Sequence, residues 1–182
     1  MDDYQDRCRE TLRRLPVAPP PVPWRKQGVF RIGGLTEIGF APDSDQLLVL
    51  SHNGRGLFDC ITGQRLGRDR EPTWEGLDEV RLRSPGLGDL EDIMIRIAGL
   101  HGGGLPRTTS DGWGLEVVSL PWPDHLIFLY RIEQSHRFED WIRIGDDGGC
   151  TFRAAGFSET GRSLVIATSC DLITFTRTEN SG

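Results

Sequence analysis

Four histidines and four cysteines are the side chains best suited to chemistry in this 182-residue chain. His52, His101, His125 and His136 all fall in expected turns or strand ends, beside Asn, Gly, Asp or Ser. A hydrolytic triad would need one of them to reach a nucleophile and an acid, and no Gly-x-Ser-x-Gly elbow is present. Cys8, Cys60, Cys150 and Cys170 make no Cys-x-x-Cys pair and have no His at ligand spacing, which argues against zinc. Cys60 and Cys170 stand in or beside apolar strands, where a free Cys packs as a small core residue. Asp43 with Asp45, and the run Asp146-Asp147-Gly148-Gly149, offer too few oxygens and no closing Glu for calcium. Both read as turns in which Asp bonds its own backbone. Gly102-Gly103-Gly104 would need a following Lys and Ser/Thr at the head of a helix to cradle phosphate. Leu105-Pro106-Arg107 follows instead, so a turn or bulge is expected. No catalytic residue, metal or cofactor is assigned.

Trp122-Pro123-Asp124 matches three letters of the mobile acid loop of tyrosine phosphatases. That chemistry also needs a Cys followed by an Arg in a phosphate-cradling loop. Cys150 precedes Thr-Phe-Arg and Cys170 lies in an expected strand pair, so the match is read as chance. Composition then narrows the partner. The net charge is −6, and it is uneven. Residues 69–92 hold eight acids against three arginines. An acidic body argues against nucleic acid, which asks for cationic surface, and suits a basic protein partner. No apolar run is long enough for a membrane span. The opening MDDYQDRCRE lacks the apolar core of a signal peptide, so the expected compartment is the cytoplasm.

The elements that must position these groups are mostly short strands, since 23 glycines and 11 prolines supply abundant turns. Residues 2–15 are the exception. Tyr4, Cys8, Leu12 and Leu15 form one helical stripe that must rest on the body or on another chain. Residues 16–23, PVAPPPVP, form a stiff extended strap. Residues 153–177 read as two strands and a turn, and they superpose without a gap on residues 36–60. Gly39-Phe40 falls on Gly156-Phe157, Leu47-Leu48-Val49 on Leu164-Val165-Ile166, and Phe58 on Phe175. Between the copies, residues 71–83 are a short helix or an irregular acidic excursion. Residues 92–98 are expected as a strand with Ile93, Ile95 and Ile97 on one face. Further strands are expected at 114–120, 126–132 and 138–144.

A strand, a Pro-Asp turn, an apolar strand, an Asn-Gly turn, a strand ending near an aspartate, then Thr-Gly-Gln: residues 38–66 resemble one blade of a WD-repeat β-propeller. Residues 153–177 resemble the same pattern. Phe58-Asp59 and Phe175-Thr176 stand where such blades end in Trp-Asp, and the opening Gly-His is missing. The resemblance implies blade geometry and leaves activity open. The expected fold is all-β: antiparallel blade-like sheets in a small or incomplete propeller, with a β-sandwich as the alternative, plus a short N-terminal helix and the strap. The expected division is a helical arm at 1–15, a proline-rich linker at 16–27 and one β-rich domain at 28–179. The segment 28–32 is expected to pair beside the last blade.

For function, these features point to a non-enzymatic protein-binding module. In their small size, acidity and lack of catalytic motifs they resemble immunity proteins of bacterial polymorphic toxin systems, which implies occlusion of a toxin's active site. Trp74, Glu75, Asp78, Glu79 and Trp113 are the candidate partner-binding residues, with tryptophan anchoring and acids steering. The alternatives are a scaffold subunit whose N-terminal arm pairs with another chain, and an enzyme with an unrecognised site.

Overall fold

The computed structural model describes residues 2–71 and 76–177, the side chains of residues 2–5 excepted. Helix α1 (Asp2–Arg14) opens the chain, and the ion pairs Arg9–Asp6, Arg13–Glu10 and Arg14–Glu10 lie along its exposed side. The prolines end it. The strap then runs beside a later strand, where the Ala18 amide donates to the Arg143 carbonyl at 2.8 Å. Strand β1 (Trp24–Arg31) begins at Trp24, inside the segment expected as linker. There follow β2 (Leu35–Phe40), β3 (Gln46–Ser51), β4 (Gly54–Asp59) and β5 (Gln64–Asp69). The short β6 (Arg83–Pro85), β7 (Met94–Arg96) and β8 (Ala98–Gly99) come next. Last are β9 (Trp113–Ser119), β10 (His125–Arg131), β11 (Ile142–Asp146), β12 (Phe152–Phe157), β13 (Ser163–Thr168) and β14 (Asp171–Arg177).

Among the described residues these strands form four antiparallel sheets, ordered β5-β4-β3-β2-β8, β6-β7, β11-β10-β9 and β1-β14-β13-β12. The fold is all-β with one short helix. The two matching stretches fold as equivalent units: β2, β3 and β4 begin 117 residues before β12, β13 and β14. Their registers agree as well, with Phe40 opposite Leu47 and Phe157 opposite Leu164. A register shift at Thr36 recurs at Arg153, which is Thr36 plus 117. The paired glycines have one physical reason. A Cβ on Gly39 would strike the Arg96 carbonyl, and one on Gly156 would strike Leu105. In each unit, glycine makes room for a chain segment crossing the sheet.

The three large sheets stack front to back. Leu47, Val49 and Phe58 of the first unit pack on Val165, Ala167 and Leu172 of the second. The opposite face of the second unit, with Leu164, Ile166 and Phe175, packs on Leu115, Ile127, Leu129 and Ile144 of the β9–β11 sheet. The sheet formed last in sequence thus occupies the middle. The N-terminal strand joins it, since β1 pairs with β14 from Trp24 opposite Arg177 to Arg31 opposite Asp171. Each fully buried Leu, Ile or Phe in these layers contributes roughly 1.5–3 kcal/mol.

The stack does not close into a ring. Both of its ends are covered by the chain's own segments, as terminal repeats of open arrays must be. Leu77, Leu82, Leu87 and Leu90 cover Leu48 and Leu50 at one end. At the other, Leu12 and Leu15 cover Leu126, Phe128 and Trp141. The Leu12–Leu15 end of the stripe therefore rests on this chain's own sheet. Two local expectations also change. Ile93 is 37% exposed while Ile95 and Ile97 are buried, because Ile93 closes the turn ahead of β7, its amide bonded to Leu90 and its carbonyl to Gly86. Residues 138–140 form a 3-10 turn ahead of β11. Residues 76–82 are irregular, the second of the two forms expected for that stretch.

Cys170 is not the free core thiol expected from its neighbours. It forms a disulfide with Cys150, with Cα atoms 6.1 Å apart, while Cys8 is free and Cys60 is free and buried. Burial pushes the Cys60 thiol far up, so it should stay protonated. The bridge spans 20 residues, and loop closure of that size is worth about 3 kcal/mol. Measured against the oxidised protein, the Cys150→Ser/Cys170→Ser variant should lose about that much stability in urea unfolding. An unchanged midpoint would show that the bond closes no loop in the native protein.

Candidate functional site

The acidic segment forms the cap over the first unit. β6 pairs with β7, and a turn precedes it in which Asp78 bridges to Arg83. Asp78 holds this turn from within. Its carboxylate accepts the Arg81 amide at 2.8 Å and pairs with the Arg81 guanidinium at 3.0 Å. Those hydrogen bonds, the backbone one first, hold its carboxyl below the ordinary aspartate value. Asp78 therefore shapes the turn, while the next two residues are presented. Glu79 is exposed, and Val80 is 94% exposed. Asp89, Glu91, Asp92, Ile93 and Met94 surround the same cap and are all exposed. Beside it lies a cleft of about 460 Å³ lined by Arg81, Leu82, Ile97, Leu105 and Glu159.

Trp74 and Glu75 lie outside the described residues. Trp113 does not join this surface. It is 6% exposed and packs between the middle sheet and the β9–β11 sheet, edge-on to Trp24 at 6.2 Å, with the Arg131 guanidinium 4.9 Å over its ring. Its place beside a turn in sequence concealed this, because the strand it begins is covered on that face by the neighbouring sheet. Trp24 is buried for the same reason, Trp141 lies on the opposite face under Leu12 and Leu15, and Trp122 alone among the described tryptophans is exposed, at 83%. Val80 was missed in the sequence. The available signal was a lone apolar residue inside the polar run Asp78-Glu79-Val80-Arg81.

Two of the four histidines, His101 and His125, pair with acids, and among the described residues neither pair has a nucleophile hydrogen-bonded to it. His101 Nδ1 lies 2.6 Å from the buried Glu37 carboxylate. His125 meets Asp147 through its amide at 2.9 Å and its Nδ1 at 3.3 Å, and stacks on Phe152. Ser119 stands opposite His125 across the ladder, but its Oγ is buried and without a hydrogen bond. Among the described residues no group of three or more His, Cys, Asp or Glu could hold a metal ion. No helix there is long and apolar enough to cross a membrane.

The aspartates of the first Pro-Asp turn have a structural role. Asp45 is 6% exposed and accepts hydrogen bonds from Ser158 Oγ at 2.9 Å, Thr160 Oγ1 at 2.8 Å and the Arg162 guanidinium at 3.1 and 2.9 Å. Glu159 in turn accepts the Asp43 amide at 3.1 Å. Asp45 and Arg162 are matching positions of the two units, so equivalent turns clasp each other across the stack. Fold and surface together define an all-β protein of front-to-back sheets with one acidic cap. No protein-family model matches this chain, and no curated protein matches its sequence.

Proposed function

We propose that this chain is a non-enzymatic protein-binding module whose docking face is the acidic cap around residues 78–94. The supporting observation is the turn that presents Val80, 94% exposed, directly beside the exposed Glu79. An apolar tip on an acidic surface suits a basic partner: charge steers the encounter and the buried apolar contact holds it. The specific form is an immunity protein that covers a basic substrate cleft on a toxin. The WD-repeat likeness belongs with this proposal, since blade ends commonly carry binding loops.

The test is an affinity capture with the tagged full chain, read by mass spectrometry at low and moderate salt. A single stoichiometric basic protein, lost as salt rises, is expected. Glu79→Lys/Val80→Ser should weaken that capture at least about tenfold, with unchanged melting temperature, since neither side chain supports the fold. Equal capture by the variant would remove the cap as the docking face.

We propose the cytoplasm as the compartment, and the cysteines provide the check. A reducing cytoplasm keeps such pairs as thiols, whereas oxidising compartments preserve them as disulfides. On this reading the Cys150–Cys170 bridge closes only on exposure to oxidant, so acid quenching and alkylation in intact cells should trap both as thiols. A bonded pair would move the protein, and its partner, to an oxidising compartment.

A further inference from the structure

Four arginines of this acidic chain gather at a place that none of the expected sites includes. A cleft of about 140 Å³ opens between the end of β1 and the β4–β5 hairpin. Arg31, Arg55, Arg65 and Arg68 line it, with Asn53, and Phe58 stands at its apolar side. Arg65 and Arg68 are three apart on β5, a spacing that would put them on opposite faces of a regular strand. The register shifts between them: Arg65 stands opposite Phe58 and Arg68 opposite Gly56, so Leu66 is an extra residue. That bulge turns both arginines to one face. It is the same face on which Val49 and Phe58 enter the core.

The four guanidinium groups differ in what they have left to give. Arg55 is fully engaged, with Asp69 at 2.7 Å and the Pro85 and Gly86 carbonyls at 3.1 and 3.3 Å. It fixes the wall. Arg31 uses one nitrogen on both Asp171 oxygens, at 2.9 and 2.8 Å, and keeps the rest of its fork. Arg65 and Arg68 have no hydrogen bond or ion pair among the described residues. Against four positive charges stand two carboxylates, Asp69 and Asp171, so two charges are uncompensated in the cleft. Two unpaired like charges on one strand face work against folding, and a bulge that brings them together is explained by an anion between them.

We propose that this cleft binds a small tetrahedral oxyanion, a phosphoryl group, with Arg65 and Arg68 as the principal donors and Arg31 as the third. Guanidinium forks match phosphate oxygens in pairs, which a Lys would not. The volume sets the size of the ligand. It is well below the roughly 300–1,000 Å³ of sites for larger organic ligands, so one phosphoryl group enters and any remainder of the molecule stays outside. The cleft is framed by β1 of the middle sheet and β4–β5 of the first, so an occupant would tie two layers of the stack together. The cleft borders the acidic cap, whose Pro85 and Gly86 carbonyls hold Arg55, but its proposed donors Arg31, Arg65 and Arg68 lie outside the cap.

The experiment is a titration of the full chain at low ionic strength with inorganic phosphate and, separately, with glycerol 3-phosphate, followed by amide NMR shifts. Saturable shifts at Gly54, Gly56, Arg65 and Arg68 are expected. Arg65→Gln/Arg68→Gln should weaken binding about tenfold or more, as loss of charge-assisted bonds requires. Arg83→Gln/Arg96→Gln, away from the cleft, should leave it unchanged. Binding of both probes assigns the site to phosphate monoesters, and binding of phosphate alone assigns it to the free ion. Shifts that fail to saturate with either probe, or equal weakening by both double variants, would overturn the proposal. Preserved shift dispersion in the Arg65→Gln/Arg68→Gln protein separates lost binding from lost fold.

Discussion

Trp113→Ala should lower stability by about 4 kcal/mol, the cost of removing a large buried aromatic ring. The ring lies between two sheets, 6% exposed, and three kinds of contact converge on it. Leu115, Ile127 and Phe157 share its core cluster, Trp24 meets it edge-on at 6.2 Å, and Arg131 lies 4.9 Å over its face. The aromatic pair and the cation–π contact each add about 0.5–1.5 kcal/mol to plain burial. The cavity would open in the middle of the stack, where both flanking sheets are held by further layers and cannot collapse into it. Urea unfolding followed by far-ultraviolet circular dichroism is the measurement, because it does not rely on the fluorophore being removed. A loss under about 1 kcal/mol would mean that Trp113 is at the surface and available to a partner after all.

Asp45→Asn should cost about 3 kcal/mol, at the lower end for breaking a buried pair by removing one partner. The lower end applies because the Arg162 side chain is 40% exposed and can recover some hydration. An amide keeps the shape but cannot accept all four bonds, and it leaves the guanidinium without its counter-charge. The acid limb of stability should change too. Burial acts to raise the Asp45 carboxyl, but the surrounding hydroxyls and Arg162 outweigh it and hold it below the ordinary aspartate value. A depressed group contributes stability that is complete above the unfolded value of about 3.9 and is lost as pH falls through the lower folded value. Asp111 acts in the same direction, held down first by its bidentate pairing with Arg177 and half exposed. The variant should therefore show a shallower loss of stability between pH 5 and pH 2 than the parent. Parallel curves would show that the clasp carries no charge-dependent stability.

Much of the local structure was legible before any coordinates. The gapless match between residues 36–60 and 153–177 anticipated two equivalent strand units, to which the structure adds a third strand in the second copy and the pairing of Phe40 with Leu47 and Phe157 with Leu164. Pairing across a short turn is a near-neighbour matter, governed by turn residues and by the alternation of apolar side chains. The pairing of β1 beside β14 was also anticipated, as the way to cover an edge. The candidate site was less legible. The acidic cap was visible as a run of charge, but its exposed apolar tip at Val80 was not.

What the sequence by itself determined, then, is the repeating strand unit, the turns that frame it, the helix and strap before it, and the acidity of one segment. These depend on residues close together in the chain. Only the tertiary structure decided that the last unit lies in the middle of the stack, that α1 covers Phe128 and Trp141, that Trp113 is buried, that Cys170 meets Cys150, and that four arginines share a cleft. Each joins groups separated by many residues. Which faces meet is settled by the packing of whole sheets and by single-residue shifts such as the bulge at Leu66, and no local pattern encodes either.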